Sequence, residues 1–126
     1  MTFSPYKFYE LAERLLNQEW CEEACYRTAV SRAYYATFNR AMQFIKNKDP
    51  HLIDRLQGKY KTDQKGIHFI VRVALRKLGC KAYQKMAELA NSRIEADYRL
   101  DLHFKREKAE WMLEVARDIL GMIERC

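Results

Sequence analysis

Proline and glycine are scarce in this chain, with two prolines and four glycines among 126 residues. An all-β fold draws on both at its many reversals, so their scarcity argues against one and suits helices. No apolar run approaches the ~18 residues that a bilayer-spanning helix needs. The segment MTFSPYKFYELAERLL at the start has charges scattered through it and no apolar stretch of the secretory-signal kind. The expectation is a cytoplasmic protein with no membrane partner. No Gly-rich phosphate loop is present. Metal ligands are also missing as a pattern. Cys21 and Cys25 stand four apart, but Cys80, Cys126, His51, His68 and His103 are scattered and complete no zinc set. The four thiols are therefore expected to be buried or reduced structural thiols, with a metal or redox role as the alternative, and neither a metal nor a cofactor is expected.

What is present is apolar and charged in balance. A hydrophobic share of 48% and a charged share of 32% exclude both a disordered chain and a membrane protein. The length fits a single domain that hides roughly two-thirds of its unfolded surface. The net charge of +6 is unevenly spread. Residues 46–85 hold eleven basic side chains against three acids, a net +8, so the remainder sums to −2. A basic middle suits RNA or an acidic partner protein, and it equally suits a solvated helix face with a basic loop. Lys59, Lys61 and Lys65, with Arg72 and Arg76 beyond them, have the best claim to a surface electrostatic role.

The periodicity predicts five helices. The first opens at Ser4-Pro5, a capping residue followed by one that suits the first helical position, and aligns Phe8, Leu11, Ala12 and Leu15. The second and longest covers about 21–46, with small residues at Ala29, Ala33, Ala36 or Thr37, and Ala41 on one face. Tyr34, Tyr35 and Phe38 spread aromatics around the remainder. They read as core or dimer contacts, with base stacking as the functional alternative. Residues 47–64 contain Pro50 and Gly58 and read as a loop with one helical turn near 51–56. A third helix covers 65–78 and ends on Gly79 as its cap. A fourth covers 81–93, and residues 96–104 read as an irregular joint. The fifth covers 105–123, with Trp111, Met112, Val115, Ile119 and Met122 on its core face.

Two stretches resemble a known family. SRAYYATFNRA, residues 31–41, resembles the SRAYYAxFHxA signature of HEPN-domain proteins, and RIEADY, residues 93–98, resembles their RxxADY segment. Lys108-Ala109-Glu110 and Ala116 resemble the family's last helix. The likeness covers most of the chain in the right order. It implies an all-α, up-and-down bundle of four to five helices and a homodimer built on the central helices. A small nucleotidyltransferase is an implied partner. Many active members of the family are metal-independent ribonucleases, some of them toxins of toxin–antitoxin pairs, and use Arg followed after four to six residues by His. In that chemistry the His takes the proton of the RNA 2′-hydroxyl, and the Arg steadies the phosphate.

That spacing is not kept here. Arg93 is followed at those gaps by Tyr98, Arg99 and Leu100, and Arg99 meets His103 after only three residues. The signature His after Phe38 is replaced by Asn39, which cannot act as a base at neutral pH. The reading is a non-catalytic binding protein that engages RNA or a nucleotidyltransferase. The alternative is a divergent ribonuclease with Arg93 as phosphate clamp and His103 as a displaced base. Arg32 is read as an ion-pair partner within the bundle, with Asp97 as its acid, or else as a phosphate contact. Asp97 and Tyr98 are read as capping and packing residues, with phosphate-site roles beside Arg93 as the functional alternative.

Overall fold

The structure is a computed structural model that describes residues 3–126. Six helices follow one another: α1 (Tyr6–Leu16), α2 (Glu23–Lys48), α3 (Leu52–Lys59), α4 (Ile67–Lys77), α5 (Ala82–Tyr98) and α6 (Arg106–Arg125). The described residues contain no strand, so the protein is an all-α bundle. None of these helices is long and apolar enough to cross a membrane.

Helix α2 is the axis and packs against all five others. Its alanines explain how. Ala29, Ala33, Ala36 and Ala41 have no exposed surface, and side chains that small let neighbouring backbones come close. Larger residues fill the space between helices. Ile45, Ile70, Leu75, Met86, Leu89, Met112 and Ile119 are among the fully buried ones.

The α4–α5 turn is closed by backbone geometry. Gly79 adopts φ +77, a left-handed conformation that other residues enter at a cost. The Cys80 N–H then reaches the Leu75 carbonyl, and the Gly79 N–H reaches that of Arg76. These two bonds satisfy carbonyls that the helix end leaves free.

The structure corrects several expectations. The predicted loop at 47–64 carries a two-turn helix, α3, because Leu52, Ile53 and Leu56 are buried and hold it against the bundle. The described residues therefore form six helices where four or five were expected. Helix α5 continues through Tyr98, so the ADY segment lies in its last turn and the joint is shorter than predicted. Trp111 is 56% exposed, because the buried stripe of α6 runs through Ala109, Met112, Ala116 and Ile119 and leaves Trp111 on its flank. Leu11 is also exposed, while Leu16 takes a core position on α1. The cysteines are all paired, Cys21 with Cys25 and Cys80 with Cys126. The second pair forms because the end of α6 returns to the α4–α5 turn, a proximity invisible in spacing.

The joint between α5 and α6 is held by Arg27, which is 8% exposed. Its Nη1 donates to the carbonyls of Glu95 and Ala96, both at 3.0 Å. Its Nη2 donates to the carbonyls of Arg99 and Leu102, and its Nε to the Glu23 carboxylate at 3.1 Å. The guanidinium also faces the Phe104 ring, 5.5 Å from the centroid. A cation at the C-terminal end of α5 offsets the negative end of the helix dipole. Hydrogen bonds from a charged donor contribute about 1.5–3 kcal/mol each. Arg27→Met leaves those buried carbonyls unpaired and is expected to destabilise the fold by about 3–5 kcal/mol. Urea denaturation of the variant measures this, and limited proteolysis should locate new cleavage in residues 99–105.

Candidate functional site

The helical spacing of α2 sends Ser31, Tyr34, Tyr35 and Phe38 toward α4 and α5, and a polar cluster forms where the three helices meet. Tyr34 is fully buried, and its hydroxyl lies 2.6 Å from Nδ1 of His68 on α4. A buried phenol needs such a partner. Phe38 packs on the same imidazole with ring centroids 4.7 Å apart. From α5, the Arg93 guanidinium lies over the rings of Tyr34, Tyr35 and Tyr98 at 5.3, 5.9 and 6.0 Å. Arg93 Nη1 donates to Asp97 Oδ2 at 3.5 Å, and the Ser31 hydroxyl donates to the same oxygen at 3.4 Å. Arg93 Nε is buried with no hydrogen-bond partner.

The electrostatics follow from this packing. Burial pushes the Tyr34 phenol up to about 12, with Arg72 and Arg93 opposing, so it stays protonated near neutral pH. The hydroxyl and Nδ1 share this hydrogen bond in either tautomer of neutral His68, and the one in which Nδ1–H donates to the phenol oxygen leaves the Nε2 lone pair free. His68 is held below its ordinary value of 6.5 by burial, then by the nearby charges of Arg93 and Arg72. A neutral imidazole beside a guanidinium can accept a proton while the cation holds an anion.

The residues singled out in the sequence divide into three groups. Arg93, Asp97 and Tyr98 share the last turns of α5 and sit in this cluster. Arg32 does not pair with Asp97, which belongs to Arg93. It lies instead over the rings of Phe8 and Tyr35 at 5.7 and 5.2 Å. The reason is register, since Ser31 rather than Arg32 faces Asp97. Asn39 spends its amide on the Tyr35 carbonyl at 2.8 Å, within its own helix. His103 is exposed in the joint, with Nδ1 2.7 Å from Glu23 Oε1. No hydrogen bond joins it to Arg93.

The basic residues are spread along the end of α3, the turn after it and α4. Lys59 lies over Tyr60 at 5.6 Å and Lys65 over Phe69 at 5.0 Å, and those two rings meet edge to face at 5.3 Å. Arg72 and Arg76 line a cleft with Phe69, and Lys61 stands exposed in the turn after α3. None of these five cations has a carboxylate within ion-pair distance among the described residues. The acids paired nearby, Asp49 and Asp118, bind Arg55 and Lys85 instead.

Two residues went unread in the sequence, Arg27 and His68. The Glu23–Arg27 spacing was the available signal for the first. For the second it was a histidine set within the apolar stripe of Ile67, Ile70 and Val71. No group of His, Cys, Asp and Glu among the described residues could hold a metal ion. Comparison with family models, with curated proteins and with solved structures gives no match.

A group whose folded pKa is depressed from 6.5 makes the fold lose stability as pH falls below that value, because the unfolded chain takes up the proton first. The His68 ring signals in an NMR titration should therefore turn over below pH 6.5. Arg93→Gln should move that midpoint upward by removing a neighbouring charge. His68→Asn should flatten the fall in urea stability between pH 7.5 and the parent's His68 midpoint. An unshifted midpoint in the Arg93 variant would contradict this electrostatic account.

Proposed function

We propose that the chain is a HEPN-type, non-catalytic RNA-binding protein that works as a homodimer. One observation carries the RNA reading. Of the five cations at the α3–α4 turn and along α4, Lys59, Lys65 and Arg76 rest against aromatic rings, and none of the five makes an ion pair with an acid among the described residues. Lysine or arginine laid on an aromatic face gains about 0.5–1 kcal/mol and keeps its charge in water. Phosphates supply the missing negative charge, and the rings offer faces to unstacked bases. The HEPN assignment and the dimer rest on the SRAYYATFNRA and RIEADY segments.

A second reading is supported by Arg93 and His68 both packing on Tyr34. In it the protein is a divergent, metal-independent ribonuclease, with Arg93 as clamp and His68 in place of His103 as base. The toxin role implied by the family resemblance belongs to this reading.

Fluorescence anisotropy with single-stranded RNA tests the first. Affinity should fall with salt, at a log–log slope of about −0.7 for each phosphate contacted. The double variant Arg72→Gln/Arg76→Gln should weaken binding and make that slope shallower by about 1.4. An absence of binding at 50 mM salt sinks the RNA reading and turns attention to an acidic protein partner such as a nucleotidyltransferase. RNA cleavage in EDTA that is lost in His68→Asn and kept in His103→Ala would establish the second reading.

A further inference from the structure

Helices α4 and α5, joined by the Gly79 turn, leave an open cleft of about 250 Å³ between them. Phe69, Arg72 and Arg76 line it from α4, and Tyr83 and Gln84 from α5. The spacing explains the shared face, since 69, 72 and 76 recur at three and four residues on one side of a helix. Val73 and Ala87 complete the lining with apolar side chains. No carboxylate lines the cleft.

We propose that this cleft is a nucleobase subsite that takes one unstacked base of single-stranded RNA, with the adjoining phosphate on Arg72 and Arg76. The inference rests on the RNA-binding reading and goes beyond it by naming the ligand unit and the residues that read it. A nucleobase has two apolar faces, a polar edge and an anionic neighbour, and each finds a counterpart here. The rings of Phe69 and Tyr83 give stacking faces. The Arg76 guanidinium lies 6.0 Å from the centroid of Tyr83, which makes a planar cation–ring pair of the kind bases stack on. Gln84 is exposed, and its Nε2 makes one long hydrogen bond to the Tyr83 hydroxyl at 3.4 Å. Its amide oxygen and second N–H face no partner in the protein, so they are available to a base edge. The two arginines supply the charge.

The test uses the full chain and two probes of equal charge, a labelled single-stranded RNA and an abasic ribose-phosphate strand of the same length. Base–aromatic stacking corresponds to roughly a five- to hundredfold change in affinity. The parent should bind the RNA more tightly than the abasic strand by a factor in that range. Tyr83→Leu should bring RNA down to the abasic level and leave abasic binding unchanged. Equal binding of the two strands by the parent, or equal loss of both in Tyr83→Leu, overturns the subsite and leaves the RNA-binding surface standing. Failure of both strands to bind overturns the RNA-binding reading and the subsite with it. Gln84→Ala, a change at an exposed position, gives an independent check without risk to folding. It should reduce the parent's preference among homopolymeric RNAs while keeping its salt slope. An unaltered preference would remove Gln84 from the base edge.

Discussion

The Arg27 guanidinium is the constraint on which the joint between α5 and α6 depends. A helix end leaves carbonyls that have no partner within the helix. At the end of α5 those carbonyls converge on one planar cation, which also fixes the descending chain at Arg99 and Leu102. Because α5 ends there, its last turns have a fixed height relative to α2. That height sets Arg93 over Tyr34 and Asp97 opposite Ser31. A buried arginine with no such set of acceptors would be a heavy cost, and the five hydrogen bonds make it an organiser.

The candidate site shows how charge is managed in a half-buried cluster. Arg93 lies among three tyrosines, and its one acid is shared with a serine. The imidazole near it is held toward its neutral form first by burial and then by the charges of Arg93 and Arg72. On the outer surface the solution differs, for the cations there sit on ring faces and remain solvated. One electrostatic field thus spans a half-buried cluster and an exposed strip, joined at Arg72, which acts on His68 from within and lines the cleft without.

The all-helical class, the length and alanine face of α2, and the Gly79 cap were legible because each depends on local chemistry: propensity, 3.6-residue periodicity and a left-handed turn. The burial of Met112, Val115 and Ile119 followed from the same period. Elements whose character depends on tertiary partners were not legible. Helix α3 showed only as a single turn near 51–56 behind Pro50 and Gly58, and its full length depends on burial. The sequence pointed to Arg93, Asp97 and Tyr98 as one segment but offered no means to add His68, which arrives from another helix. It assigned Asp97 to Arg32, and a shift of one residue gave the interaction to Ser31 and Arg93. The pairing of Cys80 with Cys126 joins positions whose separation carries no signal.

That last bond alters how the chain bears tension. It encloses α5, the joint and α6 in a covalent ring that spans 46 positions. A pull applied across the two ends travels through the residues before Cys80 and crosses to Cys126 through sulfur. The enclosed helices lie off the load path, so force cannot reach the carbonyls gathered by Arg27 through the α6 end. The fully stretched chain is shortened by about 150 Å, at roughly 3.4 Å for each bypassed residue. The half of the protein that holds Arg93 and the far wall of the cleft is thereby shielded mechanically, while α1 to α4 stay exposed to the strain.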